Sequence, residues 1–247
     1  VDDFERAARA LAAARKVVVV SGAGISAESG IATFRDAGGL WEQHAIEDVA
    51  TPEALQRNPR KVWEFYERRR EHVQSVAPNA GHAAVAELET VFEEVVTITQ
   101  NVDGLHQRAG SSRVLEVHGS LWRARCLSGC GAVVDPFPFP AAELPPRCAC
   151  GGMLRPAVVL FGELLPAETF ALATRHAGEA DVCLVVGTSG SVWPAAGLPL
   201  AARDAGASTV EVNPEPTELT AELDWSLRGT SGSILPRLVY RARELRA

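Results

Sequence analysis

Two patterns of apolar residues alternate along the chain. Continuous runs rich in β-branched residues occur at Lys16–Ser21 (KVVVVS), Glu94–Thr99 (EVVTIT), Asp181–Val186 (DVCLVV) and Ser208–Val212 (STVEV), with a shorter one at Val114–Val117. A strand covered on both faces needs no polar side, so these runs predict strands buried within a sheet. The stripe Phe4, Ala7, Ala8, Leu11 and Ala12 predicts a helix over 4–15, and charged amphipathic stretches predict helices over 60–77 and 79–91. Alternating strands and helices imply an α/β fold with a mostly parallel sheet and helices on both faces. Residues 123–156 break this rhythm with four cysteines and with five prolines from Pro136 to Pro146, as an inserted module does.

Ligands of parallel sheets bind beyond the carboxyl ends of the strands. Five predicted strands end there in polar or glycine-containing segments: Gly22-Ala23-Gly24-Ile25-Ser26, Gln100-Asn101-Val102-Asp103, His118-Gly119, Gly187-Thr188-Ser189 and Asn213-Pro214. Glycines after the first strand suit close approach of a pyrophosphate to the backbone. The full GxGxxG is missing because position 27 is Ala, so a plain tight turn also fits. Arg35 can grip phosphate or serve in a surface ion pair. The Gln100–Asp103 cluster suits a carboxamide and ribose hydroxyls, whereas Asp103 alone would read as a turn cap. His118 stands at a strand end and is a candidate general base. The other histidines, at 44, 72, 82, 106 and 176, read as structural.

The cysteines run Cys126-x3-Cys130 and Cys148-x-Cys150 with glycines close behind each pair, a pattern that suits a closed tetrahedral zinc site more than free thiols or a redox pair. Cys183 lies within an apolar run and reads as a small core residue. The 247 residues carry 24 basic and 31 acidic side chains, for a net charge of −7, which argues against a nucleic-acid binder. No apolar run is long enough for a transmembrane helix. The acidic N-terminus and reduced cysteines lead us to expect a cytoplasmic protein, and a monomer is the default.

Six ordered segments, GAGIS–AESGIATFRD, TQNVDGLH, LEVHG, RPAVVLFGE, VVGTSGSVWPAA and VEVNP, together resemble the sirtuin family. The resemblance implies a Rossmann-like NAD-binding domain (1–36, 78–122 and 157–247). It also implies a small domain (37–77 and 123–156) with a helical and a zinc-binding module. By that resemblance the NAD co-substrate meets Gly22, Ala23, Gly24, Ser26, Phe34, Arg35, Gln100, Asn101, Val102, Asp103, Gly187, Thr188, Ser189, Asn213 and Ser231. Catalysis falls to His118, with Asn101 and Asp103 fixing the nicotinamide pocket. Val159, Leu160, Phe161, Gly162 and Glu163 pair with the backbone of an acylated substrate as an added strand. Cys126, Cys130, Cys148 and Cys150 hold a structural zinc. The implied reaction is removal of an acyl group from lysine, yielding nicotinamide and O-acyl-ADP-ribose. Two departures stand out: the cysteine spacings differ from the usual two-residue form, and Gly190 replaces a common serine.

The segment EFYERRR puts Tyr66 and Arg69 three apart on a helix, hence on one face. A phenol and a guanidinium there can clamp a carboxylate, and the pair resembles the desuccinylase and demalonylase branch, as does small Ala50. A solvated charged helix is the competing reading, and it is the one given to Arg68 and Arg70. The expectation is therefore a lysine deacylase favouring succinyl or malonyl groups with acetyl activity alongside. Protein mono-ADP-ribosylation and a non-catalytic NAD-sensing scaffold are the alternatives.

Overall fold

The computed structural model describes residues 2–33 and 45–246. Helices α1 (Asp3–Ala13), α6 (Ala80–Val91) and α10 (Ser231–Arg246) form one layer, and α8 (Ala167–Gly178) and α9 (Gly197–Asp204) the other. Between them lie β1 (Lys16–Ser21), β2 (Glu94–Thr99), β3 (Val114–Glu116), β7 (Val182–Val186), β8 (Ser208–Asn213) and β9 (Trp225–Arg228). They pair in the order β3-β2-β1-β7-β8-β9, and every pairing is parallel.

The uninterrupted apolar runs follow from this sandwich. Side chains alternate across a strand. Val17 and Val19 therefore pack with Leu11, Leu88 and Leu238, while Val18 and Val20 pack with Ala173, Ala177 and Leu198. Cys183 belongs to the second layer, where burial pushes its thiol up to about 12. The predicted strands at 16–21 and 94–99 match in full. The predicted 79–91 helix begins one residue later, because Asn79 is its cap and accepts from the amides of Gly81 and His82. Strand β9 and helix α10 were not anticipated; the strand is short and half-polar, and the helix carries Pro236 inside it.

Two insertions build the rest. Short helices α3 (Ile46–Val49) and α4 (Pro52–Arg57) lead into α5 (Pro59–Ser75). The second insertion makes an antiparallel sheet of β4 (Gly119–Cys126), β5 (Val133–Val134) and β6 (Leu154–Val158), with β4 central. Helix α5 packs against it through Trp63, whose indole N–H donates to the Leu154 carbonyl at 2.9 Å.

Arg70 corrects the sequence reading. It is 1% exposed, not solvated. Its guanidinium pairs with Glu67, donates to the Phe137 and Pro138 carbonyls at 2.7 and 2.9 Å, and lies about 5 Å from the rings of Phe137 and Phe139. It bolts α5 to the proline-rich segment. Arg70→Met would leave the Glu67 carboxylate and two carbonyls without their cation. The expected loss is about 3–5 kcal/mol, read as a lower urea midpoint with an unchanged slope.

Candidate functional site

Strand order reverses between β1 and β7, and the loops leaving their carboxyl ends meet there. The Gly22 amide donates to the Val186 carbonyl at 3.0 Å, and the Gly24 amide to the Gly187 carbonyl at 2.8 Å. A Cβ on Gly24 would lie 2.8 Å from Gly187 Cα, and one on Gly187, whose φ is +59°, 2.3 Å from the Ile25 nitrogen. These glycines are thus required by the contact of two loops, whatever a ligand asks of them. The helix after them, α2 (Gly24–Ala27), is a single turn.

From the neighbouring β2 end, Asn101 and Asp103 turn into this junction, both 6% exposed. The Asn101 amide donates to the Gly22 carbonyl at 3.1 Å and to Ser26 Oγ at 3.2 Å. Ser26 in turn donates to Asp103 Oδ2 at 2.8 Å, and Asp103 Oδ1 accepts the Leu105 amide at 2.9 Å. Gln100 reaches across to Thr188 Oγ1 at 3.0 Å. Three segments far apart in sequence are therefore joined by buried and half-buried hydrogen bonds.

His118 is half-buried, and its Nδ1 lies 2.9 Å from the Gln100 carbonyl. A carbonyl only accepts, so Nδ1 carries the proton and Nε2 keeps its lone pair. Burial lowers the His118 pKa, opposed by the bond to Gln100. A neutral imidazole with one orientation and one basic nitrogen is the state a general base needs.

The predicted acyl-side residues also converge. Ala50, Tyr66, Val102, Val158 and Leu160 share one buried apolar cluster. The Arg69 guanidinium stands 5.8 Å from the centre of the Tyr66 ring, half-buried, with burial lowering its pKa and Tyr66 and Asp103 opposing that. The Val159 amide donates to the His118 carbonyl at 2.8 Å and the Phe161 amide to the Ala50 carbonyl at 2.9 Å. The segment 159–163 thus spans from His118 to the apolar cluster. Phe161 and Gly162 are exposed, but the Glu163 side chain turns inward to Arg155. Phe34 and Arg35 lie outside the described residues.

The Sir2 family model matches residues 22–194. An NAD-dependent protein deacylase of Pyrobaculum aerophilum is 53% identical over 94% of this chain and 93% of its own length. A Sir2 homologue solved as an NAD complex superposes with a TM-score of 0.90 at 44% identity, covering 98% of this chain and 95% of that one. A Sir2 enzyme bound to a myristoylated histone peptide gives 0.77 at 38% identity, covering 99% and 98%. The chain belongs to the Sir2 family.

The remaining predicted positions of this Sir2-family chain lie along the β7 and β8 ends. Thr188 is buried and Ser189 exposed, its hydroxyl 2.8 Å from that of Ser191. Gly190 has φ +73°, and a Cβ there would lie 2.6 Å from the Leu219 side chain, which accounts for its departure from serine. Asn213 donates to the Glu215 carbonyl at 2.9 Å. Ser231 is buried and donates to Glu28, whose carboxylate also accepts the Gly232 amide at 2.7 Å and so caps α10. Sequence reasoning missed Glu28 and also Glu211, 1% exposed, which accepts hydroxyls of Thr217, Thr220 and Ser226 and pairs with Arg228 at 3.2 Å. An acid inside an otherwise apolar strand was the available signal.

In the cysteine module, the four sulfurs lie within 4.8 Å of one another. Cys126–Cys150 and Cys130–Cys148 are 3.6 and 3.8 Å apart. A tetrahedron of thiolates about 2.3 Å from zinc has edges of about 3.8 Å, so the set fits that ion despite the unusual spacing. Gly131 and Gly151, with φ of +73° and +85°, supply the left-handed turns beside the ligands.

Behind the β1–β7 junction lie two buried histidines. His82 accepts the Asn79 amide on Nδ1 and approaches Ser26 with Nε2; His106 bonds Ser21 at 2.9 Å. Burial lowers their pKa to about 4 and about 3. Folded values below the unfolded 6.5 mean the unfolded chain binds more protons, so acid destabilises the fold between pH 6.5 and about 4. Each histidine adds a slope of up to about 1.4 kcal/mol per pH unit. Urea unfolding between pH 7 and 4.5 should show this decline, and a His106→Gln chain should show a flatter one.

Proposed function

We propose that this protein is an NAD-dependent protein lysine deacylase, with His118 as the catalytic base and Asn101 and Asp103 fixing the nicotinamide pocket. The observation that carries the reading is the Nδ1 bond of His118 to the Gln100 carbonyl, which leaves Nε2 basic on a side chain anchored next to Asn101. When bound, NAD supplies the weak nicotinamide–ribose bond that makes the acyl transfer favourable. His118 Nε2 then accepts a proton from a ribose hydroxyl, while the Gln100 carbonyl stabilises the imidazolium that forms. Asn101 and Asp103, held by Ser26, present polar groups without reorganising. Thr188, Ser189 and Asn213 serve the adenosine side. The added substrate strand pairs along segment 159–163, in which the amides of Val159, Leu160 and Phe161 are already bonded to the protein. The zinc, held by Cys126, Cys130, Cys148 and Cys150, is structural: four thiolates leave no open position for catalysis.

Nicotinamide release with an acylated peptide tests this. His118→Tyr should lower it by about 10²–10⁴-fold. The acid limb of kcat/KM should have its midpoint below pH 6.5, since burial lowers the His118 pKa and only the neutral form accepts a proton. No nicotinamide from any acyl peptide would reject the reading.

For acyl choice, succinyl and malonyl groups are favoured, with acetyl also removed. Arg69 is half-buried against the Tyr66 ring at the margin of the apolar cluster, and a substrate carboxylate entering there would meet its guanidinium fork. A second reading comes from the same cluster: its apolar walls and small Ala50 suit a long alkyl chain, and one similar structure holds a myristoylated peptide. Arg69→Met separates them. The first reading expects succinyl kcat/KM to fall by about 10–100-fold, the worth of a charged hydrogen-bond pair, with acetyl turnover changed by less than about threefold. Equal losses on both substrates, or higher myristoyl than succinyl turnover in the parent, would favour the second.

A further inference from the structure

Segment 159–163 is held by more than its backbone. Arg155, on β6, is 3% exposed and grips Glu163 with both ends of its fork, Nη1 to Oε1 at 2.5 Å and Nη2 to Oε2 at 2.9 Å. The same Nη2 donates to the Val158 carbonyl at 2.9 Å. Glu163 Oε2 also accepts the Leu160 amide at 2.8 Å, and the Glu163 amide returns to the Leu160 carbonyl at 3.0 Å. A tight turn, with Gly162 at φ +87°, is therefore closed by its backbone and again by a side chain. Arg125 adds a weaker pairing at 3.6 Å from the half-exposed edge.

The anchor of this clamp is rigid. Arg155 pairs with Arg125 on β4, next to the pairing of Leu154 with Cys126. The loop it holds is tied at one end to the His118 carbonyl and at the other to the Ala50 carbonyl. A bidentate ion pair fixes orientation as well as distance. Shifting Glu163 would therefore move Leu160, a wall of the apolar cluster, and the exposed turn at Phe161 and Gly162.

We propose that Arg155 and Glu163 are positioning residues for the acyl-peptide, holding the loop between His118 and Ala50 at binding height, and that Glu163 is no substrate contact. This rests on the deacylase reading above and revises the sequence expectation for Glu163. Groups that act as one unit have non-additive losses.

Arg155→Met, Glu163→Gln, their double variant and Arg155→Lys test it in the intact protein, with kinetics and amide hydrogen exchange side by side. The expected result is an acyl-peptide KM raised about 10-fold in each of the first two, no higher in the double, and partly restored by lysine, which keeps charge but not the fork. Saturating kcat and the KM for NAD should stay within about threefold, because neither residue touches the reacting groups. The Leu160 amide should exchange faster in Glu163→Gln. Unchanged peptide KM with unchanged Leu160 exchange overturns the proposal. So does an equal rise in both KM values, which marks general destabilisation. If the parent turns over no acyl peptide, the deacylase reading fails, and Leu160 exchange alone still decides whether Glu163 holds the loop. Should Arg155→Met not fold, Arg155→Lys and Glu163→Gln carry both arms.

Discussion

The contact on which the site depends is made of backbone alone. Where β1 and β7 end, Gly24 and Gly187 approach so closely that a single added carbon on either would meet main-chain atoms inside 3 Å. No rotamer can relieve such a collision. A substituent would drive the two loops apart, and the amide of Gly24 would lose the Gly187 carbonyl. Everything polar at the junction is referenced to this pair. Asn101 hangs on the Gly22 carbonyl, Ser26 sits two residues after Gly24, and Thr188 follows Gly187 to meet Gln100. The glycines are thus a structural requirement first, and room for a ligand comes as a consequence.

Around that contact the polar groups satisfy one another in a chain. Ser26 accepts from Asn101 and donates to Asp103, which leaves neither the amide nor the carboxylate free to rotate. Buried polar groups left unpaired cost about 1–3 kcal/mol each, so the alternative arrangements are penalised and one geometry persists. His82 and His106 extend the chain as neutral rings, because burial disfavours their charged forms. Their neutrality keeps the field at the junction set by Asp103 and Arg69 rather than by charges behind it.

Much of this was legible in the sequence because parallel sheets put function at strand ends. Five apolar runs marked the strands, and the polar residues following them converge on one junction or its flanks. The cysteine cluster was equally legible, since metal ligands identify themselves by type. What stayed hidden were charges whose partners are remote. Arg70 meets carbonyls 67 and 68 residues away, and Glu28 caps a helix more than 200 residues on. A helix written EFYERRR gives no sign which arginine goes inward. Trp63, Tyr66 and Arg70 are buried at a spacing of three and four, so the burial stripe was present, but a charged residue occupied one of its positions.

That stripe also explains how so charged a helix organises the acyl side. Trp63 and Arg70, two turns apart, both face the cysteine module, through Leu154 and through Phe137 and Pro138. With both ends of the contact fixed, the rotation of α5 about its axis is fixed, and Tyr66 must enter the cluster with Ala50 and Leu160. Arg69, one position before Arg70, is then carried to the cluster's margin, over the Tyr66 ring. Its half-buried charge is not chosen by local propensity, which would send a long cation to water. It follows from anchoring the neighbouring residues of the same helix.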